Sequence, residues 1–165
     1  MKELIKELES ALEEELALQK KLVALAETKR DALINIDSNK VEIISREEGS
    51  IVLALTNVGQ RRVRAISAVA KATTSKERMP SITSISKGLD EPYKTRITEL
   101  SAELKKVITH SARINKQNRM LIENSLLHIK DFFNAIGDGG NSTLVYTRRG
   151  IANKAPSTAV IDAIG

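Results

Sequence analysis

Apolar residues recur at three- and four-residue steps along three long stretches of the chain. This spacing predicts three amphipathic helices. In the first, over about 2–35, Ile5, Leu8, Leu12, Leu16, Val23, Ala26 and Leu33 form the stripe. Leu4, Leu18, Leu22 and Leu25 widen it, and Glu13, Glu14 and Glu15 mark the expected solvent face. Asn35-Ile36-Asp37-Ser38-Asn39 breaks the period with cap-forming residues, and Asn39 followed by Glu42 has the form of a capping box. The second helix, over about 39–73, runs on Val41, Ile44, Ile51, Leu55, Val58, Ile66 and Val69. Glu48 and Arg62 fall at seam positions that apolar residues usually fill. Gly49 and Gly59 lie inside the helix at a cost of roughly 1 kcal/mol each relative to Ala, so this helix is locally weak.

Residues 73–92 change character, with Pro80, Gly88, Pro92 and a cluster of Ser and Thr. A hinge or a short helix is expected over 74–90, the helix docked by Ile82, Ile85 and Leu89. The third long helix, over 91–136, has Asp90 or Glu91 as its cap and Pro92 in its first turn. Tyr93, Ile97, Leu100, Leu104, Val107, Ser111, Ile114, Asn118, Leu121, Ser125, His128 and Phe132 keep a heptad spacing. Its second half has two readings. In one, the polar interruptions Ser111, Asn118, Ser125 and His128 form a seam that accepts and releases another helix. In the other, the neighbouring stripe Ile122, Leu126, Ile129 and Phe133 is the true seam. Both give residues 118–133 an apolar face wider than one neighbour needs.

The run stops at Gly137-Asp138-Gly139-Gly140, which reads as a C-cap and a leash. Beyond it, Ser142–Gly150 (STLVYTRRG) carries one of the chain's four aromatics, Tyr146. Strand alternation and internal repeats are not apparent. The expected architecture is all-α. An elongated antiparallel three-helix bundle with one very long C-terminal helix occupies 1–136, and a flexible tail occupies 137–165. In that tail Val160, Ile161 and Ile164 are expected to form a helix only on binding.

Composition narrows the chemistry. Aromatics are 2% and charged residues 28%, which favours long helices on narrow seams over an aromatic-filled core. There is no cysteine, so thiol chemistry and Cys-based zinc sites are excluded. No apolar run approaches the roughly 18 residues of a membrane span, and the acidic N-terminus has no apolar signal region. A cytoplasmic protein without direct membrane insertion is expected. The net charge of +5 divides into −4 over 1–48 and +9 over 49–165. The basic part is either a solvated face or a surface for a polyanion or an acidic protein.

His110 and His128 are 18 residues, or roughly 27 Å, apart on one helix, so they cannot share a metal. Neither has the following residues of a phosphotransfer histidine. The glycines at 137–140 precede no helix that would hold a phosphate. Arg61, Arg62 and Arg64, with Lys71, Lys76 and Arg78, lack the aromatic or reading residues of a nucleic-acid helix. The residues therefore point to a binding protein rather than an enzyme, with no catalytic or metal site, no cofactor and no nucleic-acid partner.

Asn115-Lys116-Gln117-Asn118-Arg119-Met120-Leu121-Ile122 late in the long helix, followed by a Gly-rich break and Thr143-Leu144-Val145-Tyr146-Thr147-Arg148-Arg149-Gly150, resembles the FlgN-type flagellar export chaperones. That family shows an Asn-x-x-Leu-Leu-like element and then a Leu-Tyr-x-x-x-Gly element. Here Ile122 replaces the second Leu, and Val145 separates Leu144 from Tyr146. The resemblance implies a chaperone for the C-terminal helical segments of flagellar hook-associated proteins, which form the hook-filament junction. Asn118, Leu121, Ile122, Leu126, Ile129 and Phe133 would bind the client. Leu144, Val145, Tyr146 and Gly150 would dock on the cytoplasmic domain of the export gate. The tail has two other readings, packing on its own bundle or closing over the client. The weak second helix and the hinge would let the bundle adjust, and antiparallel pairing through the stripe would make the client-free protein a homodimer. The alternative is a generic coiled-coil adaptor or secretion chaperone with a different client.

Overall fold

A computed structural model describes residues 1–73, 80–137, 144–146 and 152–154. The three apolar stripes form α1 (Lys2–Ile34), α2 (Ser38–Ala72) and α4 (Tyr93–Gly137), and α3 (Ile82–Ser86) lies between the last two. Two compact units divide the chain, Met1–Leu121 and Ile122–Gly165, and α4 contributes to both.

The first unit is an all-α bundle. Its core joins Leu8, Leu12 and Leu16 of α1 to Ile66 and Val69 of α2 and to Ile97, Leu100 and Leu104 of α4. Leu8 and Leu12 are fully buried, and each such side chain contributes about 1.5–3 kcal/mol relative to an exposed one. α3 closes the cluster with Ile85 and the following Leu89. A reciprocal Ser81–Ser84 capping box holds this single turn of helix in place.

The α1–α2 turn differs in detail from the sequence expectation. The cap of α2 is Asp37, whose Oδ1 accepts from the Lys40 backbone N–H at 3.0 Å, rather than Asn39. α1 ends in a Schellman arrangement, with Asp37 N–H donating to Ala32 O and Ile36 N–H to Leu33 O. Ile36 occupies the left-handed position that glycine usually takes, with φ 56°, and is 89% exposed. A left-handed β-branched residue costs about 1–2 kcal/mol, so the bonds around it hold the turn against strain.

Polar residues set the register. Arg61 donates to Glu7 and Glu14, Arg62 to Glu15 at 2.5 Å, and Lys29 to Glu48 at 2.8 Å. These pairs run α2 antiparallel to α1. Arg96 donates to Glu9 and Glu13, Lys20 pairs with Glu103 at 2.6 Å, and Asn118 Nδ2 donates to Ala26 O at 2.8 Å. These contacts run α4 parallel to α1. Glu48 and Arg62 therefore occupy seam positions because each meets an opposite charge on α1. The exposed pairs are individually weak, at about 0–1 kcal/mol. Lys29–Glu48 is more enclosed, and Glu48 Oε1 is buried without a partner among the described residues. Such pairs discriminate between registers more than they add stability.

The polar seam of α4 is packed within this unit. Ser111 and Asn118 are buried, which corrects the reading of them as part of a surface that accepts and releases another helix. Ser111 is small enough for a close approach, and Asn118 finds a carbonyl. Ser125 and His128, in the second unit, are exposed.

The second unit contains the end of α4 and two short strands, β1 (Leu144–Tyr146) and β2 (Ala152–Lys154). They pair antiparallel with Leu144 opposite Lys154, Val145 opposite Asn153 and Tyr146 opposite Ala152. The sequence pattern anticipates no strand here. Three residues are too few for alternation to show, although Leu-Val-Tyr suits an extended backbone. Val160, Ile161 and Ile164 lie outside the described residues.

Two outcomes follow for stability. A Cβ at Gly49 or Gly59 would meet nothing within 4 Å. Gly49→Ala and Gly59→Ala should each stabilise the fold by about 0.5–1 kcal/mol in urea denaturation. Lys20 hydrogen-bonds Glu103 and holds its carboxyl below the ordinary value of 4.5. A carboxyl depressed in the fold stabilises above its unfolded pKa, and that contribution fades as pH falls through the folded value. Lys20→Gln should therefore flatten the loss of stability below about pH 4.5, with a reduced shift of Glu103 by NMR titration.

Candidate functional site

Asn118 Nδ2 donates to Ala26 O of α1, and α1 itself ends at Ile34. Apolar residues nevertheless continue along α4. In the second unit Ile122, Leu126, Ile129, Phe133 and Ile136 follow at alternating steps of four and three, so they share one helix face. All five are exposed, Leu126 to 60% and Phe133 to 65%. Phe132 flanks the stripe and meets Phe133 edge to face, with ring centroids 6.0 Å apart. Leu127 is exposed as well. Single exposed apolar side chains are ordinary; a contiguous stripe of this length marks an interaction surface.

Of the residues expected to bind a client, Ile122, Leu126, Ile129 and Phe133 are brought together on this face. Asn118 and Leu121 belong to the first unit. Asn118 is 4% exposed and engaged with Ala26, and its Oδ1 is buried without a partner among the described residues. Leu121 is half-buried. Ile136 was absent from the expected set, although it extends the stripe by one more step of three. Leu144, Val145 and Tyr146 form β1, with Tyr146 at its end, paired to Ala152. Gly150 lies outside the described residues.

Of the other polar candidates, Arg61, Arg62 and His110 have structural partners, Arg64 and Lys71 are exposed, and Lys76 and Arg78 lie outside the described residues. Arg61 and Arg62 serve α1. His110 lies with Nε2 3.5 Å from Glu27 Oε1 and Nδ1 3.1 Å from Arg113 Nη2. His128 is exposed. Among the described residues no helix is long and apolar enough to cross a membrane.

The family model for the FlgN protein matches residues 1–154, nearly the whole chain. No curated protein and no solved structure matches it. The match takes in the bundle, the bare apolar stripe and both strands, and the chain belongs to the FlgN family of flagellar export chaperones.

Proposed function

We propose that the chain works in the cytoplasm and binds the C-terminal helical segments of flagellar hook-associated proteins. It keeps these hook-filament junction proteins soluble and unassembled, and delivers them to the flagellar export gate. The observation that carries this reading is the exposed stripe Ile122, Leu126, Ile129, Phe133 and Ile136 in a chain of the FlgN family. A disordered client segment with an amphipathic pattern would lay its own apolar face on this stripe, as helices do in grooves. Ordering the segment offsets part of the gain, so the complex is specific and still releasable. Leu121 and the buried Asn118 lie just before the stripe, and Asn118 secures α4 through its bond to Ala26.

In the same proposal residues 1–136 hold the client and 137–165 serve delivery. Leu144, Val145, Tyr146 and Gly150 dock on the cytoplasmic domain of the gate. Tyrosine suits that role because it offers a large contact area and one hydrogen bond for few frozen rotors. Without client, two copies pair through the bare stripe as a homodimer, which client binding dissolves.

The test is a pair of titrations followed by fluorescence anisotropy. One partner is a C-terminal peptide of a hook-filament junction protein; the other is the gate's cytoplasmic domain. Leu126→Glu with Phe133→Glu should weaken the peptide at least about thirtyfold, the scale of one or two interface hot spots. Its melting should barely change, because both positions are exposed. Tyr146→Ala should keep the peptide and lose the gate domain. If the wild type binds neither partner, the export reading fails and a generic helical adaptor with another client replaces it. A tyrosine variant that keeps both partners sinks the docking assignment alone.

A further inference from the structure

On the outward face of α4 in the first unit, opposite the packed seam, the charge pattern is one-sided. Lys94, Lys105, Lys106, Arg113 and Lys116 are all exposed. At 3.6 residues per turn they fall within about 120° of the helix circumference, over a length of about 33 Å. The remaining residues of that arc are small: Thr95, Thr98, Ala102, Thr109 and Ala112. The two acids of the stretch, Glu99 and Glu103, lie outside it, and Glu103 is held by Lys20 at 2.6 Å. Lys106 acts on Glu103 only at longer range. Among the described residues none of the four lysines has a carboxylate in ion-pair contact, and Arg113 bonds His110.

What sets this face apart is the clustering of its cations. Several cations elsewhere meet acids, as Arg61, Arg62 and Arg96 do on α1, Arg46 on Glu42 and Lys6 on Glu3, while Arg64, Lys71 and Lys87 are exposed but scattered. Here Ala102, Lys105, Lys106, Thr109, His110 and Arg113 line a shallow groove of about 590 Å³, with no acid among the described residues of its wall. Clustering like charges along one helix face is destabilising, so an ordinary solvated face would mix signs.

We propose that this face docks an acidic amphipathic helix of a partner protein, laid along α4. The small residues of the floor admit another backbone closely. Cations on both sides of that floor can meet carboxylates spaced at three and four residues on the incoming helix. Neither rival polyanion fits as well. The arc offers no aromatic to stack a base, and no large apolar side chain to enter a bilayer. The face shares no residue with the stripe at 122–136, so it is a second site whose failure leaves the client reading untouched.

The probe is a fluorescein-labelled helical peptide of about 20 residues with glutamates along one face and alanine and leucine along the other. The full chain should bind it, and affinity should fall as salt rises. Lys105→Glu, Lys106→Glu and Arg113→Glu together should weaken it at least about tenfold. A charge-matched variant, Arg64→Glu, Lys71→Glu and Lys87→Glu, should stay within about twofold of wild type. Both variants should keep the wild-type helical circular dichroism and the same affinity for the client peptide. Equal weakening in the two variants would overturn the proposal, since net charge alone would then explain binding. Tighter binding of oligothymidylate or of phosphatidylglycerol vesicles would overturn it too. So would self-association in sedimentation that the α4 variant abolishes, because a second copy would then occupy the face.

Discussion

The registration of two helices against one acidic helix is the constraint on which the rest depends. α1 presents Glu7, Glu14 and Glu15 to arginines of α2, and Glu9 and Glu13 to Arg96 of α4. Lys20 and Lys29 reverse the sign toward Glu103 and Glu48. Apolar seams of leucine and isoleucine supply most of the stability, but they tolerate a slip by one heptad. A slip would set Arg62 or Glu48 against an apolar neighbour and cost far more than the pair contributes in register. Asn118 adds a neutral pin, because its amide finds the Ala26 carbonyl only at one alignment.

Asn118 bonds Ala26 of α1, and the apolar spacing of α4 continues beyond it through Ile136. The cost of exposed isoleucine, leucine and phenylalanine is accepted over some four turns. Membership of an export-chaperone family gives that exposure a use. A protein that must hold a sticky segment and then let it go needs a preformed apolar face and no deep pocket. In the proposed function the stripe at 122–136 is such a face.

Much of the fold was legible in the residues. The seam of α4 could be followed from Ile97 through Leu104 and Ile114, because period survives polar interruption. Its meaning was harder to read. Ser111 and Asn118 looked like departures from a core, since a single strip of sequence does not show what faces it on another helix. Glu48 and Arg62 look misplaced for the same reason, because Lys29 and Glu15, which face them, lie on another helix. Local chemistry misleads at Asn39, because Asp37 two residues earlier makes the cap. The stripe Ile122, Leu126, Ile129 and Phe133 was visible from spacing alone. Spacing alone does not show whether such a stripe is packed, and the structure leaves it exposed.

Amide hydrogen exchange of the full chain, alone and with the hook-filament junction peptide, tests the central claim most directly. Residues 97–118 should exchange slowly in both states. Residues 122–136 should exchange much faster in the free protein, and should slow when the peptide is added. Equal protection of the two stretches in the free chain, or no slowing at 122–136 on adding the peptide, would contradict it.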